Sequence, residues 1–298
     1  MRVFVTGGSG QTGPAVVRGL IAAGHSVTAL ARSHASAAKV ASLGAVPYRG
    51  SLDEFDRLRA AAEAADGVLH LAYGGDFSDL DDMMRRDVNA IEALGEPLEQ
   101  TGKPLIVTSG TLVMPAGRLS TELDEPELSG LAAFRVAGER AGLAFAGRGV
   151  RAAVVRLAPT VHGPDDHGFI PMLIATARAS GVSAYVGAGG NRWPAVHRAD
   201  AATLFRLALE KAPAGSVLHG VGESAVTMRS IAEVIAAGLG LPTVSLTREE
   251  AAGHFVSPFM ATVYGHDAPV SSAHTQALLG WAPGNPGLLD DLKNGDYL

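Results

Sequence analysis

Glycines near the start of the chain have the spacing of a turn that binds phosphates. Gly8, Gly10 and Gly13 fit the pattern G-x-G-x-x-G, and Gly7 with the last two fits the variant G-x-x-G-x-x-G. Without a Cβ, the backbone N–H groups of such a turn approach a pyrophosphate closely, and the next helix adds the positive end of its dipole. The pattern therefore predicts a dinucleotide site. Its contacts are expected from Gly7, Ser9, Gly10, Gln11, Thr12 and Gly13.

Two other motifs with similar glycines are excluded by single residues. Pro14 stands where a nucleoside triphosphate loop requires lysine, although proline suits the first turn of a helix because it lacks an N–H group. Ser9 is not the nucleophile of a G-x-S-x-G elbow, because Gln11 occupies the place of that motif's last glycine. A flexible turn without a ligand is the remaining alternative.

The second apolar run, residues 26–31, is followed by Arg32 and Ser33 instead of an acidic residue. An Asp or Glu at this place accepts hydrogen bonds from the ribose 2′-hydroxyl of NAD(H), whereas an arginine can pair with the 2′-phosphate of NADP(H). The sequence therefore favours NADP(H), with Arg32 and Ser33 as donors and NAD(H) as the alternative. An ordinary solvated arginine is the other interpretation of Arg32.

Short apolar runs alternate with amphipathic stretches through the first half of the chain. Strands are expected at 2–6, 26–31, 68–71, 104–108 and 151–156, and helices at 12–23, 53–64, 82–100 and 131–146. This alternation predicts an α/β fold, a Rossmann-type doubly wound parallel sheet. Residues 1–160 would form the dinucleotide-binding domain, and residues 161–298 a smaller substrate-binding lobe with isolated strands at 183–186 and 216–218. Residues 195–212 are expected to return to the first domain.

Composition restricts the class of partner. The 298 residues carry a net charge of -6, and the basic residues are scattered, which argues against nucleic acid. The first apolar run is too short for a signal peptide or a membrane span, so a cytoplasmic protein without a membrane partner is expected. The absence of cysteine excludes disulfides, thiolate metal sites and a cysteine nucleophile. No His-Glu-x-x-His motif is present either, so no metal is predicted.

Several motifs occur in the order found in one known superfamily. They are residues 5–10 with Gly13, and residues 67–72, 87–89, 106–110, 156–164 and 196–200. Over nearly the whole chain, this series resembles the extended short-chain dehydrogenase/reductase superfamily of NAD(P)-dependent epimerases, dehydratases and reductases. The resemblance implies a homodimer. It also implies further cofactor contacts from Ser51, Leu52, Leu71, Ala72, Asn89, Thr108, Pro159, Thr160 and Val161.

The resemblance fails at the catalytic Tyr-x-x-x-Lys of the superfamily. Alignment through Glu139 puts Leu131 at the tyrosine and Arg135 at the lysine. In the superfamily the lysine lowers the pKa of the tyrosine, which then exchanges a proton with the substrate oxygen. Leucine cannot do this. A guanidinium is effectively never deprotonated, so Arg135 can hold ribose hydroxyls or a substrate anion but cannot relay protons.

Catalysis would therefore need another acid. Tyr73 is the first candidate, because it follows the fourth strand of the superfamily pattern at the rim of the expected cofactor cleft, where it can also contact the cofactor. His162 and His167 come next, because imidazole titrates near neutral pH. Ser109 and Thr111 lie where the superfamily binds the substrate oxygen, although hydroxyls at a strand end also bond to local backbone.

The aromatic and apolar residues of the second half are candidates for a substrate pocket. His162, Phe169, Met172, Trp193 and His197 lie in the segments that build this pocket in the superfamily, as do Phe255 and Phe259. Taken alone, each of them is more typical of a core position than of a pocket.

Two functions of different classes are consistent with these residues. The first is an NADP(H)-dependent oxidoreductase acting on a small carbonyl, alcohol or imine substrate, with an epimerase or dehydratase that retains its cofactor as a close variant. The second is a catalytically silent NADP(H)-binding sensor or regulator, favoured by the missing tyrosine. The hydroxyls at Ser109 and Thr111 favour the enzyme.

Overall fold

The structure of the protein is a computed structural model that describes residues 1–74 and 79–298. The strands are β1 (Arg2–Thr6), β2 (Ser26–Ala31), β3 (Val46–Arg49), β4 (Gly67–His70), β5 (Pro104–Gly110), β6 (Arg151–Leu157), β7 (Thr160–His162), β8 (Ser183–Val186), β9 (Arg192–His197), β10 (Ser216–Gly220), β11 (Glu223–Thr227) and β12 (Thr243–Leu246). The helices are α1 (Gly13–Ala22), α2 (His34–Ser42), α3 (Phe55–Ala64), α4 (Leu80–Gly95), α5 (Val136–Ala144), α6 (Phe169–Ser180), α7 (Arg198–Lys211), α8 (Met228–Leu239), α9 (Arg248–His254), α10 (Pro258–Tyr264), α11 (Ala273–Leu279) and α12 (Leu288–Asn294).

A seven-stranded parallel sheet, in the order β10-β6-β5-β4-β1-β2-β3, forms the centre of the protein. Its strands are short apolar runs because helices cover both faces of the sheet, which is usual for parallel sheets. On one face α1 and α7 cover Val5 and Ile106, and on the other α3 and α4 cover Phe4 and Val68. The expected doubly wound α/β sheet is confirmed.

The chain reverses its direction across the sheet between β1 and β4, which are neighbours although two strands separate them in sequence. Loops that follow such neighbouring strands diverge and leave a crevice at the carboxyl edge of the sheet. The glycine turn follows β1, and residues 71–74 follow β4. The sequence candidates of the first half therefore lie around this crevice.

A second, smaller core lies beyond β6. The three-stranded sheet β11-β9-β7 and the parallel pair β12-β8 pack with α6, α8, α9, α10 and α12. Trp193, Tyr264 and Phe255 are buried in this core. The ring centroid of Tyr264 lies 5.7 Å from that of Trp193 and 4.9 Å from that of Phe255. Aromatic side chains at these separations supply much of the apolar area that a small core buries.

The chain returns twice from the second half to the main sheet. Helix α7 packs against α1, and β10 then pairs in parallel with β6 at the edge of the sheet. The placement of residues 216–218 in the second lobe was wrong, because a short apolar strand carries no sign of which sheet it joins. Trp281 fixes the return, since its buried Nε1 donates to the carbonyl of Asp200 at 3.0 Å.

Strand β3 and helix α2 were not predicted from the sequence. Within the described residues, no helix combines the length and the apolar character needed to cross a bilayer.

Candidate functional site

The glycine turn packs against the end of β4 so tightly that side chains are excluded. Gly7 has a φ of +73°, and a Cβ built there would lie 2.5 Å from the backbone nitrogen of Ala72. A Cβ on Gly13 would collide with the carbonyl oxygen of Gly7 and lie 2.6 Å from the carbonyl carbon of Gly8. Gly10 is exposed, and its N–H closes the turn on the Gly7 carbonyl at 3.0 Å. The turn therefore has the close backbone path that fits a pyrophosphate.

The residues expected near the adenosine half follow β2 and β3 at the same edge of the sheet. Arg32 is exposed, and within the described part of the chain it forms no salt bridge. The Ser33 hydroxyl caps α2 by accepting the N–H of Ser36 at 3.1 Å. Ser51 accepts the N–H of Asp53 at 3.4 Å, and Leu52 packs beside the core. Arg32 is thus a cation at this end of the crevice that is available to a phosphate.

Tyr73 and Arg135 form a stacked pair at the carboxyl edge of the sheet. Arg135 ends the single helical turn Ala133–Arg135 that precedes α5, and its guanidinium carbon lies 3.3 Å from the centre of the Tyr73 ring. Its Nη2 donates to the carbonyl of Thr108 at 2.6 Å. Phe134 stacks on the phenol from further away, with ring centroids 6.3 Å apart. The pair fixes a phenol between the ends of β4 and β5.

The environment of Tyr73 keeps its phenol protonated. Burial raises the pKa of Tyr73 above its usual value, because the phenolate would lose hydration, and the positive charge of Arg135 opposes this rise. Asp87 raises the pKa further through its negative charge. Tyr73 therefore carries its proton at neutral pH, as an acid that protonates a substrate oxygen must.

Buried polar atoms without a hydrogen-bond partner gather at this edge of the sheet. Within the described residues they are Tyr73 OH, Thr108 Oγ1, Ser109 Oγ, Thr111 Oγ1, Arg135 Nε and Thr160 Oγ1. A buried polar atom without a partner loses its hydration without compensation, so such atoms are few in folded proteins. Their concentration at the carboxyl ends of β4, β5 and β6 fits a polar ligand at this place.

A buried hydrogen-bonded chain beneath the crevice was missed by the sequence interpretation. Thr6 Oγ1 lies 2.8 Å from His70 Nδ1 and accepts the N–H of Ala72 at 3.3 Å, and His70 Nε2 lies 3.1 Å from Asp87 Oδ1. The chain joins the ends of β1 and β4 to α4. A histidine that ends an otherwise apolar strand was the signal for it in the sequence.

Asp87 also corrects the expectation for Asn89. Residues of a helix are about 100° apart around its axis, so Asn89 points about 200° away from Asp87, which faces the sheet. Asn89 is exposed, whereas Asp87 is 6% exposed. The expected cofactor contact from Asn89 is therefore not supported, and Asp87 is the residue that joins α4 to the end of β4.

A pocket of about 240 Å³ opens beside the glycine turn and reaches α6. Its walls contain Phe169 and Met172, which were predicted to line a substrate pocket. They also contain residues 159–161, which were expected to contact the cofactor. The lining residues are Gln11, Pro159, Thr160, Val161, Asp166, Gly168, Phe169 and Met172. The pocket is therefore apolar on the α6 side and polar toward the glycine turn.

Other residues expected at this pocket lie elsewhere. Trp193 is completely buried in the second core, and His162 is 1% exposed with its Nδ1 2.8 Å from Asp291 Oδ2. His197 accepts the N–H of Ala199 as a cap of α7 and lines a separate groove between α1 and α7. The placement of Trp193, His162 and His197 in the pocket was wrong, because aromatic residues of core and pocket look alike in a sequence.

The remaining candidates are also dispersed. Phe255 is a core residue, and Phe259 is 44% exposed. His167 is exposed, with its Nδ1 donating to the Asp165 carbonyl at 3.1 Å. Leu131 packs against the second core.

Glu139, the residue that anchored the alignment, is buried in a salt bridge with Arg156 at 2.7 Å. Within the described residues, no group of three or more His, Asp or Glu side chains could hold a metal ion.

The chain and its fold both match known proteins. A model of the NAD dependent epimerase/dehydratase family matches residues 3–219. An uncharacterized protein of Schizosaccharomyces pombe is 46% identical over 298 residues, which is 100% of each chain. The 4-hydroxy-2-methyl-3-oxo-4-farnesyl-3,4-dihydroquinoline-1-oxide ketoreductase of Stigmatella aurantiaca is 30% identical over 238 residues, which is 77% of this chain and 71% of the relative. A solved structure of a human epimerase family protein with NADPH has a TM-score of 0.76 at 22% identity, with 98% of each chain covered.

Proposed function

The chain belongs to the NAD-dependent epimerase/dehydratase family, within the extended short-chain dehydrogenases/reductases, and from this membership we propose that it is an NADP(H)-dependent oxidoreductase. Its substrate is a small carbonyl compound, or the corresponding alcohol or imine. The observation that carries the proposal is the buried hydroxyl of Tyr73 at the carboxyl edge of the sheet, which has no hydrogen-bond partner among residues 1–74 and 79–298. The similarity to a ketoreductase supports the reductive direction.

The glycine turn and Arg32 bind the cofactor. The backbone N–H groups around Gly10 and Thr12 hold the pyrophosphate, and the exposed guanidinium of Arg32 pairs with the 2′-phosphate. The excluded Cβ positions at Gly7 and Gly13 support this arrangement. When bound, the reduced nicotinamide supplies a hydride to the substrate carbon.

The side chains around Tyr73 bind the substrate oxygen and deliver the proton. Ser109 and Thr111 each present a buried hydroxyl that has no partner in the described part of the chain, and they orient the oxygen toward the Tyr73 hydroxyl. Tyr73 donates its proton to the oxygen as the carbon is reduced, and solvent protonates Tyr73 again. Arg135 acts through Tyr73, because its guanidinium holds the ring and places a positive charge beside the phenolate that forms. The apolar part of the substrate lies against Phe169 and Met172.

The test is turnover of NADPH by the purified protein with a panel of small ketones, aldehydes and imines. A substrate-dependent loss of nicotinamide absorbance, absent in Tyr73→Phe, is the expected result. Product without net change in the cofactor would identify an epimerase or dehydratase. The position of Leu131 at the tyrosine of the superfamily favours a sensor as the second candidate, and cofactor binding without turnover of any compound would support it.

A further inference from the structure

The side chain of Gln11 joins the glycine turn to the loop of residues 163–168, which forms one wall of the pocket. Its Nε2 donates to the carbonyl of Val161 at 3.3 Å and to Oδ1 of Asp166. Its Oε1 accepts the N–H of His167 at 3.1 Å. One side chain of the cofactor turn thus satisfies both a carboxylate and a backbone amide of the pocket loop.

Asp166 extends these bonds through the loop to the C-terminal residues. Its Oδ1 also accepts the N–H of Gly168 at 2.7 Å, and its Oδ2 accepts the hydroxyl of Tyr297 at 2.8 Å. The same hydroxyl accepts the N–H of Gly163 at 2.9 Å. The conformation of the loop therefore depends on Asp166, and the bond from Gln11 fixes Asp166 to the cofactor turn.

The main chain of Gln11 lies within the turn that surrounds the cofactor. Its carbonyl accepts from Arg198 Nη2 at 2.7 Å, and its neighbours are the exposed Gly10 and Thr12, which begins the approach to α1. A bound pyrophosphate that restricts the motion of the Gln11 backbone also restricts the Gln11 side chain, because the backbone and the side chain share one Cα. Within the described residues, no other side chain of the turn forms a hydrogen bond to the pocket loop.

We infer that Gln11 couples the two sites, so that a dinucleotide bound to the glycine turn orders the loop of residues 163–168 and thereby forms the substrate pocket. The inference rests on the proposed function and extends it, since it assigns the Gln11 side chain to positioning and not to contact with the cofactor. Coupling between two sites is reciprocal, so a ligand in the pocket also strengthens dinucleotide binding.

Hydrogen exchange in a peptide covering residues 162–169 measures the order of the loop with no substrate needed. In the wild-type protein, saturation with NADPH slows exchange in this peptide by about fivefold or more, the lower range of coupling between sites. Gln11→Ala retains every backbone N–H group of the turn. It therefore still binds NADPH, but at saturating NADPH it gains no protection in the peptide.

Two further variants make the result specific. Asp166→Ala cuts the same connection from the other side and leaves the glycine turn intact, so NADPH-dependent protection in this variant contradicts the coupling even if Gln11→Ala binds NADPH poorly. Asp165→Asn is the matched control, because Asp165 lies in the same loop, is exposed, and has a φ of +63°, which asparagine tolerates. The control retains the NADPH-dependent protection.

Three outcomes overturn the inference. One is protection in Gln11→Ala and Asp166→Ala equal to that in the wild type, which means that the cofactor covers the loop directly. The second is a wild-type protein that binds NADPH without protecting the peptide. The third is a wild-type protein that binds no dinucleotide, in which case the proposed function fails as well.

Discussion

The guanidinium carbon of Arg135 lies 3.3 Å above the centre of the Tyr73 ring, and the same guanidinium donates to the carbonyl of Thr108 at 2.6 Å. Tyr73 follows β4, Thr108 lies in β5, and Arg135 directly precedes α5, so one side chain fixes the relative position of three elements. The hydroxyl of Tyr73 is left buried and without a partner among the described residues. The proposed proton donor thus follows β4, whereas the tyrosine of the superfamily aligns with Leu131, which precedes α5.

Removing the Tyr73 hydroxyl should abolish most of the activity without affecting cofactor binding. We expect Tyr73→Phe to lower kcat by about 10²- to 10⁴-fold, the usual contribution of a positioned general acid. Steady-state kinetics and NADPH titration measure the two effects. Tyr48→Phe is the control, since that hydroxyl donates to the Arg57 carbonyl away from the site and its loss leaves kcat unchanged. A Tyr73→Phe enzyme with full kcat would assign the proton to another group.

Arg135 should set the pH at which Tyr73 ionises. Its positive charge lowers the pKa of Tyr73 and partly offsets the rise caused by burial, so Arg135→Met should move ionisation to still higher pH. Arg135→Lys keeps a positive charge and should restore part of the effect. Phenolate absorbance, taken as the difference from the same protein carrying Tyr73→Phe, measures this ionisation. An unchanged titration in Arg135→Met would mean that the stacked charge does not act on the phenol.

Arg32 should determine the choice between NADPH and NADH. Arg32→Asp removes the partner of the 2′-phosphate and adds a carboxylate that can accept from a ribose 2′-hydroxyl. We expect affinity for NADPH to fall about 10-fold or more, the range for one hydrogen bond to a charged group, and affinity for NADH to rise. Lys39→Asp makes the same charge change at an exposed position of α2. If both variants retain the wild-type preference between NADPH and NADH, Arg32 does not bind the 2′-phosphate.

The glycine turn should tolerate no methyl group at Gly13. A Cβ there would collide with the carbonyl oxygen of Gly7 and lie 2.6 Å from backbone of Gly8, so Gly13→Ala must displace the turn and lose dinucleotide binding. Gly147→Ala is the control, because no atom lies within 4 Å of a Cβ at that position. Calorimetric titration with NADPH compares the two. Binding by Gly13→Ala at wild-type affinity would exclude this turn as the cofactor site.

Acid should destabilise the protein in part through His219. This histidine is completely buried, with Nδ1 2.9 Å from the Ser271 carbonyl, and burial lowers its pKa below the usual value. As the pH falls below about 6.5, the unfolded chain takes up a proton that the folded chain resists, so the free energy of unfolding decreases. His219→Asn retains a donor for the Ser271 carbonyl. It should reduce the slope of the unfolding free energy against pH by at most about 1.4 kcal/mol per pH unit.

Denaturant unfolding between pH 7 and pH 5, a range chosen around the usual histidine pKa of about 6.5, measures the slope. His34→Asn, at an exposed position, is the control for replacing a histidine with asparagine. Equal slopes in the wild type and His219→Asn would contradict the assignment.

The parts of the fold that local chemistry determines could be predicted from the sequence. The turn at Gly7 to Gly13 requires glycines at fixed spacing, and alternating apolar runs are sufficient to predict a parallel sheet. Phe169 and Met172 were placed in a pocket wall from the order of the superfamily motifs. The first two conclusions depend on residues that are close together in the sequence, and the third depends on the resemblance to the superfamily.

Features formed by distant residues could not be predicted in this way. The bond between His70 and Asp87 joins a strand to a helix, and Gln11 bonds to Asp166, which is 155 residues away. The types of these residues are common in helices and loops, so nothing in their local pattern marks the contact. The burial of Trp193 could not be predicted for the same reason, since an aromatic residue packs equally well in a core or a pocket.

The return of the chain to the main sheet has a consequence for attempts to divide this protein. Strand β10 supplies an outer strand of the sheet from the second half of the sequence, and α7 covers one of its faces. A fragment that stops after β6 would expose the hydrogen-bonding edge of β6 and the apolar face of the sheet that α7 covers. Both kinds of surface promote aggregation. The two halves are thus not interchangeable modules: a chimaera joined at a single point near residue 160 would inherit two incomplete cores.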